Sequence, residues 1–173
     1  MAVIFNLEKQ DPKSKLNSPK FRLYLVDLND VDIDNWPVAT DATISEDVLK
    51  TGKKWNYLDG TAKSINPNVA PGEIPENGVI TLTPVIEGIT KKSLQWVYDN
   101  NGRNVIAIWV RCSDNQKFIA GNPCSSGLKL TYTAIGQIDG VGGGISLQFQ
   151  GDECPEPFYF YDGPLEVEPD TTP

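Results

Sequence analysis

The chain has 173 residues, 39% of them hydrophobic, and its 23 Asp and Glu residues outnumber 15 Lys and Arg residues to give a formal net charge of −8. This length suits one domain with a substantial core, and 15 glycines with 13 prolines favour short strands joined by turns. Because affinity for nucleic acids comes mainly from cations paired with phosphates, so acidic a chain is not expected to read nucleic-acid sequence.

Residues 1–20 include the polar, proline-punctuated stretch DPKSKLNSPK. They predict an N-terminal arm that is disordered alone or ordered only on a neighbour. The first apolar run is too short for a signal peptide, and no run is long enough to span a bilayer. We therefore expect synthesis in the cytoplasm without membrane contact, a single domain at 21–165 and an acidic C-terminal tail at 166–173.

Strands are predicted where apolar and polar residues alternate or where β-branched and aromatic residues cluster. The predicted strands are 21–28, 53–58, 79–84, 105–110, 117–120, 128–138 and 145–150, with an aromatic closing segment at 155–163. Residues 42–49 fit either a strand or a short helical turn. The run VIAIWV at 105–110 is typical of a strand buried on both faces, and the polar turn SDNQ after it predicts a hairpin with 117–120.

One helix is predicted, at about 91–101, directly before this hairpin. Thr90 is placed to cap its N-terminus and Gly102 to supply the left-handed C-terminal cap. Leu94, Val97 and Tyr98 recur at three- and four-residue spacing and predict the buried face. The fold class expected is therefore mainly β, an antiparallel sandwich or barrel with one packed α-helix, a long loop and extended termini.

The long loop spans residues 59–78 and has almost no apolar periodicity. A structureless loop of this length inside a compact domain is usually functional. Its prolines suit extended backbone that donates no regular ladder hydrogen bonds. We expect it to contribute no core strand and to reach a neighbouring copy as an assembly loop. The turn-forming residues that mark it are Gly60, Pro67, Pro71, Gly72, Pro75 and Gly78.

The sharpest motif for chemistry is Asp30-x-Asp32-x-Asp34, with Asp41 eleven positions after the first carboxylate. It imitates the start of a calcium loop. Asn in place of the loop glycine, an internal proline, a final Asp in place of Glu and the lack of flanking helices all count against it. An Asx-rich turn after a strand explains the pattern as well, so we expect no metal site.

No other motif indicates a reaction. The glycine-rich stretch 139–144 is followed by a strand and has no lysine, which a phosphate loop needs. Without any histidine, the serines at 125–126 and Cys124 have no usual base. Trp36 and Trp55 are the tryptophans available as a sugar-stacking platform. We therefore expect no catalytic residue and no cofactor. Three widely spaced cysteines favour reduced thiols, although pairing of Cys112 with Cys124 stays open.

The order of the segments resembles that of the major tail tube proteins of tailed phages. A polar arm leads into FRLYLVDLNDVD, a long Pro/Gly loop follows, and then come the helix SLQWVYDNNG, a strong hairpin and a final alternating pair ending in ISLQFQGD. The stretches GITKKSLQWVYDNNGRNVIAIWVRC, FIAGNPC and GISLQFQGDECPEPFYFYDGPL also resemble virion proteins of Bacteroidetes phages or prophages. The resemblance covers residues 21–165 and has no diagnostic short motif.

The resemblance implies a virion structural protein that forms stacked, hexameric rings and conducts DNA through a central lumen. Its partners would be copies of itself and other tail proteins of the virion, made in the bacterial host cytoplasm. A head-tail adaptor or a capsid decoration protein fits the same features. A carbohydrate-binding β-sandwich is the alternative from another class, and it predicts a monomer with an exposed aromatic strip.

Overall fold

A computed structural model describes residues 4–8, 22–61, 65, 67–136 and 143–170. The described chain is built from strands and one α-helix, with two short 3-10 turns at Leu28–Asp30 and Pro123–Ser125. The elements in chain order are β1 Arg22–Asp27, β2 Thr43–Ile44, β3 Asn56–Asp59, β4 Asn68–Pro71, β5 Gly78–Leu82, β6 Val85–Glu87, α1 Lys91–Asn100, β7 Asn104–Val110, β8 Lys117–Ala120, β9 Leu128–Gly136, β10 Gly144–Cys154 and β11 Phe158–Tyr161. No described helix is long and apolar enough to cross a membrane.

The strands form one continuous but unclosed sheet that bends at β7. β1 occupies one edge of β7, while β8 and β9 pair with successive parts of its other edge. The bend divides the sheet into two parts. The front sheet has the order β3-β1-β7-β8-β11-β2, and the back sheet has the order β9-β10-β5-β4, with β6 continuing the line of β5 along β10. Every strand pair is antiparallel except β11 with β2.

This arrangement confirms the prediction of a mainly β, sandwich-like fold with one helix. The front sheet is buried on both faces, as VIAIWV predicted. Val105, Ala107 and Trp109 of β7 face a core shared with the back sheet and α1. Ile106 and Ile108 face a second core formed with residues 31–55 and 161–167. The predicted hairpin is also present, since β7 and β8 pair in register and the backbone N–H of Arg111 donates to the carbonyl of Gln116 at 2.8 Å.

The helix begins and ends as predicted. The hydroxyl of Thr90 accepts from the backbone N–H of Ser93, the Ser93 hydroxyl accepts in return from the Thr90 N–H, and Gly102 is left-handed at φ 83°. The buried face, however, differs from the prediction. Trp96 and Val97 are buried, Leu94 is only partly buried, and Tyr98 is 60% exposed.

The size of Trp96 explains this rotation of the helix. Two overlapping stripes of the helix have helical spacing, and the one that contains Trp96 carries the larger apolar surface. Its indole N–H also finds a partner, the backbone carbonyl of Phe5 at 2.8 Å. On the same face, the Asn100 side chain donates to the Trp96 carbonyl at 2.7 Å. Tyr98, by contrast, is mostly exposed, so its phenol is hydrated.

Both ends of the chain pack on β3. The backbone of Leu7 bonds to Tyr57 and Asp59, and Leu7 is fully buried. The backbone N–H of Trp55 donates to the carbonyl of Glu166, and the backbone N–H of Glu168 donates to the carbonyl of Trp55. The expectation of an arm that is disordered alone or ordered only on a neighbour is therefore wrong for residues 4–8, because they pair with the chain's own sheet. Residues 1–3 and 9–20 of the predicted arm lie outside the described part of the chain.

A polar cluster ties the two ends together. The Asn6 amide donates to the Glu168 carbonyl at 2.8 Å and to the carboxylate of Asp170 at 3.0 Å, and the Tyr57 hydroxyl donates to the same carboxylate at 2.6 Å. These donors, Tyr57 first, lower the pKa of Asp170 below its ordinary value. Residues 166–170 of the predicted tail are thus anchored to β3.

We predict unequal costs for truncations along α1. Trp96→Ala should lower the free energy of unfolding by about 3–5 kcal/mol, as for other buried aromatic side chains. Tyr98→Ala should change it by no more than about 0.5 kcal/mol, the usual range for surface positions, and serves as the control. Urea unfolding of the variants measures both. Equal losses at the two positions would contradict the observed orientation of the helix.

Candidate assembly surfaces

The predicted assembly loop is a β-hairpin in its second half. β4 pairs antiparallel with β5, from Asn68 with Thr81 to Pro71 with Gly78, so the expectation of a loop without ladder pairing is wrong. The sequence does not indicate this strand, because all four residues of β4 are exposed and show no apolar alternation. Pro71 ends the strand, a position at the sheet edge that tolerates proline. Residues 62–64 and 66 lie outside the described part of the chain.

The turn of this hairpin, residues 72–77, is held by a side chain of β10. The Glu153 carboxylate accepts from the backbone N–H groups of Glu73 and Ile74, at 2.6 and 3.3 Å, and from the Asn77 amide at 3.1 Å. The Glu73 N–H and then the Asn77 amide lower the pKa of Glu153 below its ordinary range. Its charge is therefore present at neutral pH. Among the predicted loop residues, Gly72 and Gly78 lie at this end of the hairpin and Gly60 follows β3.

The back sheet has an open edge on each side. No described residue pairs with the outer edge of β9 from Thr131 to Gly136, nor with the outer edge of β4. The free part of β9, TYTAIG, contains no charge and no proline. Its Tyr132 and Ile135 are 44% and 36% exposed. Such an edge presents unpaired N–H and C=O groups and is a template for pairing with another chain.

The outer face of the back sheet is mainly polar. Along β10, the Gln148 amide donates to the Gln150 side chain, and the Gln150 amide donates to Asp152 at 2.6 Å. Hydroxyl side chains from β5, β9 and β10 share this face, among them Thr81 and Thr131. This face therefore offers hydrogen-bonding groups, together with the charges of Lys129, which lies opposite Gln150, and Asp152.

A second surface is an apolar groove of about 530 Å³ where the front sheet extends past the back sheet. Trp109 stacks on Phe118 with ring centroids 5.6 Å apart, and Phe118 contacts Phe160 at 4.8 Å. Phe158 and Phe160 are 40% and 37% exposed. The rest of the lining consists of Thr61, Ile65, Pro67, Val110, Arg111 and Cys112. Exposed apolar patches of this kind mark interaction surfaces.

Sequence reasoning missed the groove and the Glu153 contact. The aromatic segment at 155–163 was the available signal for the groove, because alternate residues of a strand face the same side. The tryptophans proposed as a platform lie elsewhere. Trp55 is fully buried against Tyr161, with ring centroids 6.4 Å apart, and Trp36 is partly buried in the second core. Nothing in the sequence pattern indicates that Glu153 reaches the hairpin turn.

The four aspartates of the calcium-like motif are not brought together. Asp30 pairs with Lys53 at 2.8 Å. Asp32 accepts from the backbone N–H and side-chain amide of Asn35, three residues on in the same turn. Asp34 and Asp41 are exposed. Within the described ranges, no three His, Cys, Asp or Glu side chains are arranged to hold a metal ion.

The remaining sequence candidates are spread over the surface. Cys112 and Cys124 are exposed and Cys154 is buried, and no disulfide joins these three described residues. The residues around Ser125 form a short 3-10 turn capped by the Asn122 side chain. Residues 137–142, which hold most of the glycine-rich stretch, lie outside the description. Comparison of the chain with protein-family models, curated proteins and solved structures gave no match.

We predict that calcium does not stabilise the protein. Asp30 is already paired and the other three carboxylates are dispersed, so the folded state offers no site that the unfolded chain lacks. The melting temperature should be the same in millimolar calcium and in chelator, with magnesium as the control for ionic strength. A calcium-specific rise of several degrees would show that the aspartates converge on the ion.

Proposed function

We propose that the chain is a structural subunit that assembles with copies of itself into rings and stacked tubes, as the major tail tube proteins of tailed phages do. The observation that carries the proposal is the pair of open edges on the back sheet, β9 from Thr131 to Gly136 and β4 from Asn68 to Pro71. Chains blunt sheet edges that are not used for pairing. Among the described residues no charged side chain or covering strand blocks either edge, although β4 is short and ends at Pro71.

The direction of the strands supports a repeating contact. β9, β10, β5 and β4 are each antiparallel to the next, so the two outer strands of the back sheet run in opposite directions. Rotation about an axis along the strands places β9 of one copy antiparallel to β4 of the next. Such a head-to-tail contact repeats, and it forms a ring when the rotation closes.

The polar face of the back sheet and the net charge support a lumen for DNA. In such a ring one face of the back sheet lines the interior, and its outer face carries mainly hydroxyls and amides beside the opposite charges of Lys129 and Asp152. A net charge of −8 opposes phosphate binding. DNA would pass without sequence-specific contacts. We propose a virion location, synthesis in the host cytoplasm, other tail proteins as partners and no enzymatic role. A head-tail adaptor or decoration protein remains the nearest alternative.

The exposed aromatic groove is the observation that favours a carbohydrate-binding module. Sugar recognition needs hydrogen-bonding groups beside the stacking rings, because buried hydroxyls must be paired. The described residues that line the groove offer few such groups. Its guanidinium, that of Arg111, is bound to Asp114 and lies 5.1 Å from the Phe118 ring centre. The groove therefore suits an apolar protein surface better than a sugar.

We predict that a lysine on either open edge blocks assembly. Val69→Lys on β4 and Ile135→Lys on β9 put a charge where a neighbouring strand would pack, which is how natural edges avoid pairing. Sedimentation across a concentration series should show loss of large species with unchanged melting temperature. Val38→Lys, at a 91% exposed loop position, makes the same charge change away from both edges and should assemble normally. Normal assembly of both edge variants would overturn the edge contact.

We also predict that the protein binds double-stranded DNA no better than a neutral control protein at moderate salt. The net charge of −8 makes phosphate contacts unfavourable. Fluorescence anisotropy with a labelled duplex, measured at several salt concentrations, tests this. Tight binding with a steep salt dependence would contradict the charge argument.

A further inference from the structure

One side chain holds the turn of the β4–β5 hairpin to β10. The Glu153 carboxylate accepts from both limbs of the turn, from the amides of Glu73 and Ile74 on one side and the Asn77 side chain on the other. The turn itself is closed by two backbone bonds, Gly72 N–H to the Asn77 carbonyl and Asn77 N–H to the Ile74 carbonyl, both 2.9 Å. Bonds to an ionised acceptor are the stronger kind.

The backbone at Glu153 is bent to make this contact. Its φ is 48°, in the left-handed region that residues other than glycine rarely adopt. The pairing of β10 with β5 shifts between Gly151 and Cys154, a bulge that includes Glu153. Bulges redirect side chains, and a strained residue persists where surrounding contacts determine its conformation. The strain and the bulge together aim the carboxylate at the turn.

The turn is shaped to receive the carboxylate. A Cβ on Gly72 would lie 2.6 Å from Oε1 of Glu153 and 3.0 Å from its Cδ. Any side chain at that position would therefore push the carboxylate away. The φ of Gly72 is not left-handed, so space alone, rather than backbone conformation, calls for glycine there. Glu153, with its strained backbone, and Gly72, which has no side chain, are thus far apart in sequence but complementary in the fold.

We propose that Glu153 is a latch that fixes the β4–β5 hairpin and so presents the β4 edge to the next copy. The hairpin carries the whole of β4, and β4 has no described strand on its other side. Without the latch, the described hydrogen bonds that still position this edge are the pairing with β5 and the turn's own two backbone bonds. This inference rests on the proposed function, because the latch matters for association only if the β4 edge is a contact.

The expected weakening of association follows from the fraction of molecules in which the β4 edge is held in position. If only a fraction of the molecules presents the edge, the apparent dissociation constant rises by the inverse of that fraction. Loss of three hydrogen bonds to a carboxylate should lower the competent fraction to about one tenth or less, which raises the apparent dissociation constant about tenfold or more. The core of the domain does not include the turn, so the fold should persist.

The test uses E153A, E153Q, G72A and the double variant E153A/G72A, with E156A as matched control at an exposed carboxylate just beyond the bulge. Hydrogen exchange at the Glu73 and Ile74 amides, measured in dilute solution, reports the latch without assembly. Sedimentation at rising concentration reports association. E153A should exchange faster and associate about tenfold more weakly. E153Q, which keeps one acceptor oxygen, should lie between E153A and the unchanged chain.

G72A should reproduce the E153A effect, and the double variant should add little to either, because both changes remove the same contact. Unchanged amide exchange in E153A, or equal effects in E156A, would overturn the latch. Faster exchange with unaltered association would overturn its role in assembly. If the unsubstituted chain does not associate, the proposed function fails. In that event amide exchange alone still decides whether Glu153 holds the hairpin.

Discussion

A strand at the edge of a sheet exposes N–H and C=O groups that need partners, and the described part of this chain treats its edges in different ways. At one edge of the front sheet, Leu7 pairs with β3 and residues 166–168 pair with Trp55, the residue before β3. The other edge of the front sheet is the two-residue strand β2. No described residue pairs with the outer edge of β4 or with that of β9 beyond Leu130. This contrast within one molecule is the basis of the proposed assembly.

The burial of the front sheet on both faces makes this difference between the two sheets possible. β7 contributes side chains to two separate cores, so the front sheet is fixed from both faces. The back sheet packs on the core through one face, and the side chains of β10 on its other face are only partly buried or exposed. A rigid front sheet therefore supports a back sheet whose outer face and edges are available. Glu153 extends this support to the hairpin that forms one of those edges.

The sequence predicted the parts of the fold that depend on local pattern. The two-sided burial of β7, the β7–β8 hairpin and the capping of α1 each come from residues within one short stretch. The orientation of α1 was predicted wrongly because two stripes have helical spacing, and the large apolar surface of Trp96 together with the distant carbonyl of Phe5 favours the stripe that was not chosen. β4 was not predicted, because an exposed edge strand has no apolar alternation.

The candidate surfaces were predicted less well than the fold. The region of the assembly loop was chosen for its prolines and glycines, and its second half proved to be an ordered hairpin with an open edge. Glu153 lies about 80 residues from the turn that it binds, and only tertiary structure brings them together. The aromatic groove likewise combines rings from β7, β8 and β11. Such contacts between distant segments leave no spacing signal in the sequence.

Electron microscopy of the concentrated, purified protein tests the central claim most directly. The account predicts rings or tubes in which β9 of one copy lies antiparallel to β4 of the next, so that the back sheets form one continuous wall. A protein that stays monomeric at high concentration would contradict the account. Assemblies in which β9 and β4 face solvent would contradict it equally.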